Sequence, residues 1–291
     1  MVYKQILQEQ NQGHETRKKL YAKLETLLKR PVVAFCTSFV FPVMIEDADA
    51  TMLEGILQKM DLSRGLALII NSPGGNGLAA ERIINTCRSY SGTGEYWVIV
   101  PGKAKSAATM VSFGASKIIM GVSSELGPVD PQITIQTGGR PQVMAAHFVV
   151  ESYKDLFKRA VEQANGHLEP YLQQLDRYDE REIKQLEYLM SLSSDIAVRA
   201  LASGMMQGTP EDTIRQKINL FLSPEEKKVH GRPVYSKEAE ACGLSIEKVN
   251  TKDELWKVLG ELYFRVDNLL STRTSKGIES KQYSFMASIP G

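Results

Sequence analysis

Tyr96-Trp97-Val98-Ile99-Val100-Pro101-Gly102-Lys103-Ala104-Lys105-Ser106-Ala107-Ala108-Thr109-Met110 is the stretch on which the reading of this chain turns. Five apolar residues end at a Pro-Gly pair, small residues follow, and a second apolar stretch runs to Phe113. That order predicts a strand, a tight turn and a helix, with Ser106 near the helix N-terminus. Free backbone N–H groups and the positive end of the helix dipole meet there and stabilise negative charge. Ala107 and Ala108 leave room beside Ser106 for a substrate backbone. The bland role for a serine at such a place is an N-cap. The sharper role is a nucleophile.

Upstream, the same alternation recurs. Residues 32–37 and 65–71 are apolar runs, 47–60 has helical spacing with Asp47 or Asp49 as N-cap, and 78–90 reads as a helix. Residues 117–121 form a fourth apolar run. Near-continuous apolar strands alternating with helices predict βαβ units and an α/β fold around a mainly parallel sheet. Between the second strand and its helix lies Ser72-Pro73-Gly74-Gly75-Asn76-Gly77. Gly74-Gly75 suits a turn at positive φ. It also suits an oxyanion hole, because two successive N–H groups without Cβ hindrance can face one oxygen. Neither a Walker pattern nor a dinucleotide fingerprint is present. The turn-rich loop 123–132 follows the fourth strand and would share the carboxyl edge of the sheet with Gly74-Gly75 and Ser106.

Residues 142–222 read as a helical insertion, on the spacing of Tyr153, Leu156, Phe157 and Ala160, then of Ile183, Leu186, Leu189 and Met190. Residues 236–244 read as a short helix closed by Gly243, 245–249 as a strand and 252–266 as a closing helix. The expected division is an amphipathic helical segment at 1–30, a catalytic domain at 31–265 and a polar, flexible tail at 266–291.

The 291 residues carry a net charge of +1, which gives no sign of a nucleic-acid partner. Cys36, Cys87 and Cys242 show neither metal-ligand spacing nor a disulfide framework, so neither metal nor other cofactor is expected. A reducing cytoplasm fits them best, and no signal peptide or membrane-spanning segment is read.

Three local patterns resemble the Clp-protease/crotonase superfamily: Ser72-Pro73-Gly74-Gly75 between strand and helix, the small-residue turn presenting Ser106, and Tyr235-Ser236-Lys237-Glu238-Ala239 followed by Gly243-Leu244. Within it, Gly127-Pro128-Val129-Asp130-Pro131 and His230-Gly231-Arg232-Pro233 resemble the serine dehydrogenase proteinases, a family similar to signal peptide peptidase A. The resemblance implies a serine endopeptidase acting on peptides or proteins, a homo-oligomer, and a catalytic order Ser106, Asp130, His230. Asp130 stands where Clp proteases hold their histidine, and His230 stands near the place of their aspartate. The Gly74 and Gly75 loop and the N–H of Ala107 would form the oxyanion hole.

Signal peptide peptidase A uses a serine–lysine dyad, and Lys154 is the candidate for that role here. Histidine suits general-base work near neutral pH. Of four histidines, only His230 sits among turn-forming residues at a strand-like junction, so it is preferred and Lys154 stays open. Lys105 is expected to face a substrate carboxylate or solvent. A crotonase-type acyl-CoA enzyme, a non-catalytic scaffold on the same fold and an α/β-hydrolase remain as alternatives.

Overall fold

A computed structural model describes residues 13–41, 43–137, 140–163, 166–222 and 233–289 of the chain. The sheet grows from runs that are apolar on both faces: β1 (Val32–Thr37), β2 (Leu66–Asn71), β3 (Tyr96–Val100) and β5 (Lys117–Met120). Alternate side chains point to opposite faces of a strand. Val33, Phe35, Leu68 and Val98 therefore enter one core, and Val32, Ala34, Ala67 and Ile99 enter another. Both faces are covered, as a parallel sheet requires.

These strands lie side by side in chain order, β1-β2-β3-β5, and β9 (Ile246–Lys248) follows β5, all parallel. The progression never reverses. Right-handed crossovers that always step the same way put their helices on one face. Accordingly α2 (Asp47–Leu57), α3 (Gly77–Tyr90) and α4 (Ala107–Phe113) pack in the first core. The opposite face is covered by α1 (Glu15–Leu28) and α11 (Glu254–Thr272). The helix at 47–57 is capped by neither expected residue: Glu46, one position before Asp47 and three before Asp49, is the N-cap, and its N–H donates to Asp49 Oδ2.

The expected flexible tail is a correction. The closing helix runs on to Thr272, across the anticipated boundary at 265/266. It leads into β10 (Thr274–Ser280), which pairs antiparallel with β1, and β11 (Ser284–Ser288) completes the edge. Residues 275–280 are buried throughout. The misreading has a physical cause. Ser, Lys and Glu are ordinarily exposed, but here the two charges of β10 are paired inside the fold. Lys276 meets Asp49, and Glu279 meets Arg17 through two bonds of 2.8 and 2.7 Å.

The insertion also begins differently. Gln142 lies on a strand, because β7 (Gln132–Thr137) and β8 (Arg140–Ala145) form a hairpin ahead of the helices. Then come α5 (Ala146–Gln163), α6 (Glu169–Leu175), α7 (Glu180–Ala202), α8 (Glu211–Lys217) and α9 (Asn219–Leu222). A short helix, α10 (Ser236–Ala241), precedes β9. Among the described residues, no helix is long and apolar enough to cross a membrane.

Candidate active site

Ser106 closes the turn after β4 (Lys103–Ala104) and stands at the N-cap of α4. Its backbone is at φ 50°, ψ −120°, and its side chain makes no capping bond. A side chain with a Cβ takes up such torsions only when its surroundings enforce them. Here they do. Ser106 N–H donates to Pro128 O at 3.2 Å. Thr109 Oγ1 lies 2.7 Å from Ala104 O and 3.0 Å from Gly127 O, and accepts from Gly127 N–H. Among the described residues, Ser106 Oγ has no hydrogen-bond partner, so the serine is not an N-cap in the ordinary sense.

The glycine loop touches this turn directly. Gly74 is at φ +109°, and a Cβ there would lie 2.6 Å from Ser106 Cβ. Ser72 N–H donates to Lys103 O, and Lys105 N–H donates to Ser72 O, so the two loops are laced together. The three expected donors are not equivalent. Gly74 N–H is committed to Ser72 Oγ at 3.1 Å, and Ser72 Oγ is itself held by Thr37 Oγ1. The N–H groups of Gly75 and Ala107 have no partner among the described residues. Gly75, at φ +153°, is locked against Ile45, whose backbone would lie 2.3 Å from an added Cβ. A bulky residue at Gly75 would therefore disturb the backbone as well as any chemistry.

Asp130 is 4% exposed and sits two residues after the Pro128 carbonyl that holds Ser106. Its loop is fixed from behind. Val129 N–H donates to Phe221 O, Ser193 Oγ donates to Val129 O, and Ala146 N–H donates to Pro131 O. A void of about 20 Å³ beside Asp130 is lined also by His147, Ser194 and Leu222. His147 is the second residue of α5. Its Nε2 is 2.8 Å from Glu151 Oε2, one turn along α5.

His230 lies in 223–232, outside the described residues. Val234, four positions later, exchanges two 3.0 Å backbone bonds with Leu126 in an antiparallel bridge. Leu126 belongs to β6 (Glu125–Leu126), which pairs with β4. Lys154 is elsewhere: its Nζ is 2.7 Å from Glu187 Oε1 on α7, its side chain is 60% exposed, and it does not line the Ser106 cavity.

Lys105 lines the Ser106 cavity, and its ammonium is paired. Its Nζ is 2.9 Å from Glu125 Oε1 and donates to Leu126 O at 3.2 Å, under Gly127. Burial lowers its pKa, partly offset by Glu125. Ser106, Gly74 and Gly75 open into a cavity of about 610 Å³, walled by Met44, Leu78, Met110, Val143, Leu189 and Ile196. No cluster of three or more His, Cys, Asp or Glu suited to a metal occurs among the described residues.

An α/β fold with a serine held at a strained strand-to-helix turn beside a glycine loop defines a class of protein, the ClpP-like folds. The sequence pattern of the ClpP-like SDH-type serine proteinases matches residues 7–186, more than half of the 291, and the chain belongs to that family. Two proteins of Methanocaldococcus jannaschii are similar to it. The uncharacterized protein MJ0137 is 24% identical over 231 residues, covering 76% of this chain and 65% of its own length. The uncharacterized protein MJ1495 is 28% identical over 176 residues, covering 55% and 53%. The chain thus spans just under two thirds of one relative and about half of the other.

Proposed function

We propose that this chain is a serine endopeptidase that works through Ser106, Asp130 and His230. The observation that carries the reading is Ser106 itself. It is held at φ 50°, its hydroxyl caps nothing, and two unused N–H groups, of Gly75 and Ala107, lie in the loops that meet around it. Ser106 Oγ attacks a peptide carbonyl carbon and forms a C–O bond, while its proton passes to His230. The developing oxyanion is received by Gly75 and Ala107 N–H. The C–N bond then breaks, His230 returns the proton to the leaving amine, and water hydrolyses the acyl-enzyme.

Chain reach supports His230. Only four residue steps separate it from Val234, about 14 Å at full extension, and Asp130 is likewise four residues from Leu126, the antiparallel partner of Val234. The pairing of Lys154 with Glu187, away from the Ser106 cavity, speaks against the lysine as base. The cavity is walled mostly by apolar side chains and its one lysine, Lys105, is paired with Glu125, which suits a peptide more than a CoA thioester, whose phosphates would call for free cations. Phe157, Leu172 and Tyr188 on α5 to α7 are exposed large side chains, which supports a homo-oligomer built through the insertion. Three buried cysteines without a disulfide support a reducing compartment.

A fluorophosphonate tests the reading. Wild type should be labelled at Ser106 and Ser106→Ala should not. Labelling should fall as pH drops through about 6.5, the range in which histidine protonates. His230→Ala should lose labelling and Lys154→Ala should keep it. Equal labelling of wild type and Ser106→Ala would sink the proposal.

A further inference from the structure

The Gly75 N–H shares a peptide plane with the Gly74 carbonyl. There is no cis peptide bond in the described chain, so that N–H points opposite to Gly74 C=O. The carbonyl accepts from Ile45 N–H at 2.8 Å, and Asn76 N–H donates to Ile45 O at 2.9 Å. Whatever fixes Ile45 therefore fixes the direction of the Gly75 N–H. The close approach of Ile45 leaves the glycine no room to tilt.

Ile45 is held on both flanks by one ion pair. Before it, Met44 O accepts from Lys276 Nζ at 3.0 Å. After it, Glu46 N–H donates to Asp49 Oδ2 at 2.8 Å. Lys276 Nζ and Asp49 Oδ1 are 2.8 Å apart, and the two residues are only 8% and 1% exposed. Lys276 comes from β10, the strand that sequence reasoning took for a tail. We propose that the buried Lys276–Asp49 pair is a positioning device for the Gly75 oxyanion donor, which makes β10 part of the acylation machinery. The inference rests on the peptidase reading above. Neither residue lines the Ser106 cavity, so both act through Ile45 and not on substrate.

The test measures the maximal inactivation rate and the half-saturating concentration for a fluorophosphonate, with thermal melting as the check on folding. Lys276→Met alone leaves a buried carboxylate unpaired. The double variant Lys276→Met/Asp49→Leu removes both charges, a replacement that folds tolerate well, and labelling is run well below each midpoint. The folded double variant should lose about ten-fold or more in maximal rate, in keeping with the roughly hundred-fold cost of a 1 Å misplacement. Its half-saturating concentration should change much less than the maximal rate, because of the cavity walls named above only Met44 touches the pair, and through its backbone carbonyl. Lys276→Arg, which keeps the charge, should fall between Lys276→Met and wild type. Folded variants all labelled at the wild-type maximal rate would overturn the positioning role and leave the peptidase reading intact. Absence of Ser106 labelling in wild type would instead withdraw the peptidase reading, and this inference with it.

Discussion

Ser106 and Gly74 form one steric unit. The serine takes up torsions that a side chain resists, and the glycine permits it by having no side chain of its own. Gly74→Ala would place a Cβ 2.6 Å from Ser106 Cβ and 2.7 Å from Lys105 O, at a φ that alone costs about 1–3 kcal/mol. The expected outcome is a folded protein whose Ser106 labelling falls about a hundred-fold, read by intact mass. A second residue-level prediction concerns Asp267 on α11. Burial raises its pKa above 3.8, and among the described residues it has no hydrogen-bond partner. The folded state thus holds this proton more tightly than the unfolded chain. Its contribution is favourable below the unfolded value and is lost as pH rises through the folded one. Asp267→Asn should therefore gain in melting temperature relative to wild type between about pH 3 and pH 7. A difference that stays flat across that range would refute the assignment.

Elements are joined here by long-range charge pairs more than by propensity. Arg17 on α1 reaches Glu279 on β10 with both side chains 2% exposed. Arg17→Met should cost about 3–5 kcal/mol, since it takes from the buried Glu279 carboxylate its cation partner, whereas Arg17→Met/Glu279→Leu should cost far less. Denaturant unfolding of the two variants separates these outcomes, and equal losses would contradict the argument. The strands and the helices between them were legible, because burial on both faces writes itself as continuous apolar runs. The turn at Ser106 was legible as well, because Pro-Gly followed by small residues has few other uses. β10 was not. Its stability comes from partners 227 and 262 positions away, Asp49 and Arg17, and no local pattern encodes such partners.

The whole molecule places the candidate site at the carboxyl edge of strands that advance in one direction. That arrangement brings four chain segments into a row: Ser72 bridges Ala104, Ala104 pairs with Leu126, and Leu126 bridges Val234. The insertion closes this edge through Ser193 and leaves Phe157, Leu172 and Tyr188 outward. Sedimentation should show a homo-oligomer, and Phe157→Asp with Leu172→Asp should shift it toward monomer while the fold persists. A monomer in wild type at micromolar concentration would remove the oligomer from the proposal. Deleting residues 274–291 should unfold the protein or abolish labelling, since it removes the partner of β1 and both Lys276 and Glu279.

The amino-acid sequence by itself determined the mainly parallel sheet, the place of Ser106 at a strand-to-helix turn and the glycine loop beside it. These follow from local rules: apolar runs, turn-forming residues and the small side chains a close approach needs. Which N–H groups remain unused was decided only in three dimensions, because Gly74 N–H is taken by Ser72 Oγ while Gly75 N–H is not. The fate of Lys105 was decided there too, as was the entry of a polar C-terminal strand into the sheet. Each depends on a partner distant in the chain, and a charge or an N–H reveals its role only when that partner is in place.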